Sequence, residues 1–496
     1  MLKILLKIQV IILFAIILIE SGCRPSGPDP CRVISELNIG EVQNVRLTNG
    51  DAVNLSLIEI KEIRDSVRNA IREVSVKVSV DGEEITLSAA NYNLPVIVGN
   101  VQIDCPAIKD YLSNSNEDDW KLVKDARFRL WPKSSSYLRE GTFIYPIKQE
   151  WLASMSQTAN EPTYVDWGEN PAEKAIYYHS GHDIGGAEGM DEIISSTDGL
   201  VVSSNNVLLE GYDSIPVYVH PDAVSVIDHR GWLLEYVHLD STDPEIKPGA
   251  KVKMGQRIGY IGKQGSSGGW VHLHFSIRTK ECLSGEWGIE DAYPYVWESY
   301  VRQYKPQLIA VARPHNLVWT GQEAMLDGRK SKSFAGEIIS YEWTYTDGTK
   351  AEGAIQKRQY NEAGEYSEIL KVTDSKGNVD YDFAVVQVIE KASPEKLIPT
   401  IQAAYNPTLN IKPGDPVTFL VRTFNTDVGN EIWNFGDGSP KTTVKSETVD
   451  RKASTKGKFA ETVHSYSKPG HYIVRVERMN ENGYNAIAHL HVVVSD

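Results

Sequence analysis

The sequence predicts a mainly β, multidomain protein, and three observations carry that prediction. Short apolar runs alternate with period two along most of the chain, as in Val74-Ser75-Val76-Lys77-Val78-Ser79-Val80 and Val271-His272-Leu273-His274-Phe275. Gly, Asn and Asp turn signals punctuate these runs. The last third repeats one layout twice, the mark of a duplicated module. At 496 residues there is length for three or four domains. A 41% hydrophobic share is ordinary for globular chains, so each domain has material for a core. The net charge of −15, without a basic patch, argues against a nucleic-acid partner.

Residues 1–22 read as a leader. Lys3 and Lys7 precede an apolar run from Ile8 to Ile19, followed by Glu20-Ser21-Gly22-Cys23. That is a secretory signal. Small residues directly before a cysteine resemble a bacterial lipoprotein signal, which implies lipidation of Cys23 and a tether to a membrane. Glu20 stands where that pattern carries an aliphatic residue. An ordinary cleaved signal and an uncleaved anchor remain open. The expected location is the cell envelope, periplasmic or at the cell surface, with secretion as the alternative. No later apolar run is long enough to span a bilayer. With Cys23 lipidated, Cys31, Cys105 and Cys282 remain, and an export compartment permits a disulfide, Cys31–Cys105 being the expected pair. No Cys-x-x-Cys occurs, which argues against a thiolate zinc knuckle.

Residues 31–125 read as a β-rich accessory domain. Val45–Leu47, Val53–Leu57 and Val74–Val80 are strand-like, and Asp81-Gly82 signals a hairpin turn. Between the second and third, Ile60, Ile63, Val67 and Ile71 recur at helical spacing, so a helix is expected there. Phe143-Ile144-Tyr145-Pro146 and Trp151 form an aromatic connection expected to pack against the domain that follows.

Residues 140–300 read as a Gly-rich antiparallel β domain carrying most of the chain's histidines. His179 and Asp183 are four apart, but Gly181, Gly185 and Gly186 argue against a helix and for a loop leading into a strand. Two strands are expected around the turn at Asp198-Gly199, and others at Val217–Val219, Val224–Ile227 and Trp232–Leu239, the last carrying His238. Pro248–Val252 and Gly255–Gly262 read as short strands with Gly corners. On a strand, His272 and His274 project to one face. Buried imidazoles need partners for two polar nitrogens each, so a metal, a proton transfer or both would account for the pair. The bland alternative is two histidines on the wet face of a half-exposed strand. His182 is expected at the rim of the site, and His220 and His229 in structural positions. His464 and His471 lie too far downstream to join it.

Three motifs occur in order: His-x-x-x-Asp at His179 and Asp183, Tyr-x-His-Leu at Tyr236 to Leu239, and His-Leu-His-Phe at His272 to Phe275. Together with the Pro-Gly…Gly-Gln-x-Ile-Gly run before the last, they resemble the lysostaphin/LytM-type zinc metalloendopeptidases of bacterial cell walls. The resemblance implies one Zn2+ per chain on His179, Asp183 and His274, an open two-His, one-carboxylate set. It implies His238 and His272 as catalytic histidines, one moving the proton of water and the other stabilising the oxyanion. His272 as base and His238 as stabiliser is the favoured order, and the reverse stays open. The implied substrate is the peptide part of peptidoglycan, in stem or cross-bridge.

Residues 307–392 and 397–496 repeat an aromatic-rich pattern: Trp343 to Gly348 with Gly364-Glu365-Tyr366, then Trp433-Asn434-Phe435-Gly436-Asp437-Gly438 with Pro469-Gly470-His471-Tyr472. Both resemble PKD-type immunoglobulin-like β-sandwiches, which implies a spacer or a binding module. The first departs at Tyr345, Thr346 and Ala363. Asp437 reads as a turn residue rather than a calcium ligand. The rival to the enzyme is a non-catalytic envelope scaffold or an adhesion protein binding through these modules.

Overall fold

The computed structural model describes residues 29–89, 91–113, 119–164, 176–281, 283–449 and 453–496. The leader, Cys23 and Cys282 lie outside them.

The N-terminal part is two four-stranded antiparallel sheets. One runs Val33–Leu37, Ala126–Pro132, Val101–Ile108, Val96–Val98; the other runs Val42–Arg46, Ala52–Arg64, Ile71–Val80, Glu83–Ser88. Alternate residues such as Leu55, Val76, Ile103 and Phe128 meet in a shared core. Asp81 and Gly82 both have positive φ, 51° and 91°, which suits a two-residue hairpin. The expected helix around Ile60 is instead strand. Register shifts at Leu57/Glu59 and Ile63/Arg64 mark bulges, and bulges break period two and so mimic helical spacing. The Cys31–Cys105 pair is not formed. Cys105 lies in the N-terminal core, with Sγ donating to the Ala107 carbonyl at 3.6 Å, whereas Cys31 packs against the core of the next region.

The central region is built on a nine-stranded sheet. Its middle strands are β1 (His182–Gly185), β2 (Gly199–Ser204), β3 (Val224–Asp228), β4 (Leu233–Val237) and β5 (His272–Lys280), lying side by side in the order β2-β3-β4-β5-β1. A second sheet joins Glu192–Ile194, Arg257–Ile261 and Leu239–Thr242. The two strands around Asp198-Gly199 therefore exist but belong to different sheets. Val217–Val219 is not a strand; the Tyr218 amide donates to the Glu235 carboxylate rather than to a ladder. Helix α1 (Tyr293–Tyr304) lays Tyr293, Val296, Trp297 and Tyr300 on one face, at helical spacing, into the core. Trp151 packs among them, its ring 5.1 Å from Trp297 and 5.5 Å from Tyr300.

The C-terminal third is two β-sandwich units fused through one nine-stranded sheet. Gly364–Asp374 of the first pairs in parallel with Asn485–Val494 of the second at Gly364↔Asn485 and Glu365↔Ala486. Gly364, at φ 150°, is needed there: a Cβ would stand 2.6 Å from the Asn485 carbonyl oxygen.

Candidate active site

Antiparallel pairing assembles the site. β1 and β5 run side by side with Asp183 opposite His274 and Gly185 opposite His272. β4 flanks β5 on its other side, with Val237 opposite His274. Period two then puts Asp183, His272 and His274 on one face, and the chain just before β1 and just after β4 brings His179 and His238 over it. His182, next to Asp183, must face the opposite side. It is buried between Trp151 and Tyr293, at ring separations of 5.8 and 5.7 Å, and not at the rim. Burial pushes its pKa down to about 3, so it is a neutral core ring.

The five residues expected from the motifs come together in one cavity of about 970 Å3. His179 Nε2 lies 3.0 Å from His274 Nδ1 and 3.1 Å from Asp183 Oδ1, and His274 Nδ1 lies 2.8 Å from that same oxygen. These three donor atoms form the one such cluster of three or more among the described residues. A tetrahedral zinc with bonds of about 2.1 Å spaces its ligands about 3.4 Å apart, so the cluster needs to open by only a few tenths of an ångström. The residues fit the ion in chemistry as well. His179 Nδ1 faces the Thr158 carbonyl at 3.3 Å, and since a carbonyl only accepts, Nδ1 carries the proton and Nε2 turns a lone pair to the cluster. Gly181 allows the close packing, because a Cβ there would meet His274 Cε1 at 2.6 Å. Burial opposes the charge on Asp183, yet His179 and His272 beside it hold its carboxyl well below the usual range. Burial likewise opposes protonation of His179, but Asp183 raises its pKa; burial lowers that of His274.

His238 and His272 stand beside the cluster, their rings 4.7 Å apart. His238 breaks the chain between β4 and the next strand at φ 70°, a conformation costly for a non-glycine residue. Its Nδ1 donates to the Gln264 carbonyl at 2.8 Å and lies 3.3 Å from Asp222 Oδ2. Asp222 is also in contact with His220, so a His220–Asp222–His238 chain backs the site. His272 Nδ1 donates to the Trp270 carbonyl at 3.2 Å, and burial lowers its pKa to about 3. Sequence reasoning missed Asp222, 16 residues before His238. The one trace it left is Gly265 in the Gly/Ser turn: a Cβ there would stand 2.5 Å from Asp222 Oδ2. His229 pairs with Asp29 and His464 with Asp437, both away from the site.

Comparison with known proteins agrees with the class that this geometry defines. Residues 177–284 match peptidase family M23, and residues 306–388 and 401–494 each match the PKD domain. A segment matching peptidase family M23 is thus followed by two segments matching the PKD domain. Among curated proteins it is similar to collagenase ColA of Clostridium perfringens, 37% identical over 81 residues, which is 16% of this chain and 7% of that one. It is also similar to collagenase ColA of Bacillus cereus, 28% identical over 169 residues, 31% of this chain and 17% of that one. The chain therefore spans less than a fifth of the length of these relatives. A solved structure described as a glycyl-glycine endopeptidase, lytM, from Ruminococcus gnavus is 25% identical, covering 32% of this chain and 61% of that one, with a TM-score of 0.21.

Proposed function

We propose that the chain is an exported zinc metalloendopeptidase that hydrolyses peptide bonds in the stem or cross-bridge peptides of peptidoglycan. The observation that carries this reading is the convergence of His179 Nε2, Asp183 Oδ1 and His274 Nδ1 beside two further imidazoles, in a segment that matches a peptidase family. His179, Asp183 and His274 would hold one Zn2+ per chain. When bound, zinc supplies Lewis acidity and lowers the pKa of water toward neutrality.

The protein's own groups divide the remaining work. His272 has its Nδ1 proton committed to the Trp270 carbonyl, so Nε2 offers the lone pair that takes the proton of the attacking water. His238 is held through its Nδ1 by the Gln264 carbonyl and by Asp222 behind it, which orients the ring. A protonated His238 presents an Nε2–H donor to the oxyanion that develops on the scissile carbonyl. His272 then returns its proton to the leaving amine. The Cys23 lipid anchor and a place in the cell envelope complete the proposal; the mass of the mature N-terminal peptide tests the anchor.

The enzyme reading is tested by digesting purified peptidoglycan with the zinc-loaded full chain beside His272→Ala, with released peptides read by mass spectrometry. Peptides released by the native chain and not by the variant would establish the activity and name the bond. No release from a chain that holds zinc would refute the substrate, and no release together with no zinc would favour the non-catalytic scaffold.

A further inference from the structure

We propose that the second PKD module is a working part of the active centre, and that its Gln402 is a positioning residue for His272. This inference rests on the peptidase reading for its kinetic consequence, though not for its structural one.

The argument starts from an unfinished ladder. β1 pairs with β5 as far as Gly185↔His272, and β4 pairs with it only as far as Val237↔His274. Val271, one residue earlier, is fully buried yet lies beyond the last register pair on both sides. A buried peptide N–H and C=O must find partners. Those of Val271 find them in another domain: the Gln402 side chain accepts from the Val271 amide at 2.8 Å and donates to the Val271 carbonyl at 2.7 Å. One carboxamide thus takes the place of the missing strand residue.

The neighbouring residues are held by the same module. The Trp270 ring stacks on Phe424, 4.4 Å between centroids and 9° between planes. Gly269, at φ 85°, lies so close to Ser454 that a Cβ would stand 2.7 Å from its carbonyl oxygen. The consequence reaches the chemistry through Trp270 and Val271. The Trp270 carbonyl receives the Nδ1 proton of His272 and so sets which ring nitrogen faces the cavity. His272 itself follows Val271 directly, and its own amide is held from the other side by the Gly262 carbonyl. Gln402 therefore fixes the peptide between the orienting carbonyl and the oriented ring. The metal-ligand cluster is anchored separately, through the β1–β5 register and Thr158. The cavity lining also includes Thr400, Ile401 and Ala403 of this segment, so the module borders the space a substrate enters.

The test uses the full chain with Gln402→Met, which keeps the side chain's bulk and removes both hydrogen bonds, and with Gln402→Ala. Misplacing a reacting group by about 1 Å costs on the order of 100-fold in rate. Gln402→Met should bind one zinc as the native chain does, lose roughly 10- to 100-fold in kcat on peptidoglycan fragments, and change KM by less than about threefold. Amide exchange at Val271 and His272 should quicken at least about tenfold, with exchange at Asp183–Gly185 unchanged. Native kcat and native exchange in Gln402→Met would overturn the proposal. So would loss of zinc together with kcat, which would make Gln402 a general prop of the fold. If the native chain cleaves no peptidoglycan, the peptidase reading fails separately, and the exchange result alone decides whether Gln402 holds the strand. If Gln402→Ala fails to fold, the Met variant decides.

Discussion

Two of the buried polar clusters among the described residues are built on opposite principles. Where the N-terminal sheets meet the peptidase region, Arg32 donates to Glu290 at 2.7 and 2.9 Å. Arg129 donates to Asp104 at 2.6 and 3.0 Å and to Glu290 at 2.8 Å, with Asp291 3.3 Å away and the Tyr295 hydroxyl also on Glu290. There, acceptors and donors are matched in fixed forks, and Arg32 and Arg129 hold Glu290 at a pKa of about 2 against the opposing effect of burial. In the other cluster, Asp183 Oδ1, His179 Nε2 and His274 Nδ1, three atoms that can each present a lone pair to a cation, converge within 3.1 Å, and no Arg or Lys joins them among the described ion pairs. Matched donors and acceptors make a structural joint. Converging acceptors are a set of ligands for a cation. Buried charge alone does not separate the two; the direction in which lone pairs and protons point does.

The sharpest way to break this contrast is to remove the proposed proton acceptor, His272. His272→Ala should lower kcat on peptidoglycan fragments about 10²- to 10⁴-fold while the chain keeps its zinc, as read by metal content and steady-state kinetics. Arg129→Met attacks the structural joint instead. It leaves buried carboxylates uncompensated and should cost about 3–5 kcal/mol in the first denaturant transition, with zinc content per folded chain unchanged. If Arg129→Met emptied the zinc site of folded protein, the two clusters would not be independent.

The joint also holds a surplus acid. Burial raises the Asp291 carboxyl to about 6, against the pull of Arg129. A raised carboxyl takes up its proton more readily in the folded state, so its effect favours folding below about pH 4 and is lost as pH rises through 6. Asp291→Asn, which can still accept from the Tyr293 amide, should remove that fall and stabilise the chain at pH 8 by about 2 kcal/mol. Denaturant midpoints across pH 4.5–8 check the sign. The smallest effect is expected on the His238 side: Asp222→Asn loosens the hold on the His238 ring and should lower kcat about tenfold with zinc affinity unchanged. An unchanged kcat would remove Asp222 from the site.

The five motif residues were legible because they lie on or beside strands whose order and turns are written locally. Alternation alone also placed His272 and His274 on one face. The same rule, applied from Asp183, turns His182 to the core, where Trp151 and Tyr293 enclose it. What stayed hidden depends on contacts distant in sequence. Asp222 reaches His238 across a turn, and Gln402 reaches Val271 from 131 residues away. The strand around Ile60 was misread because bulges shift the period, and Val217–Val219 because β-branched residues there serve a loop held by Glu235. The cysteine pair failed because proximity in sequence said nothing about which core each cysteine joins.

The central claim is that His179, Asp183 and His274 form a cation site. Metal content of the full chain after exhaustive dialysis, measured by plasma mass spectrometry beside His274→Ala, tests it most directly. The account predicts one zinc per native chain and essentially none in the folded variant. A native chain without zinc, or a variant that keeps it, would contradict the account.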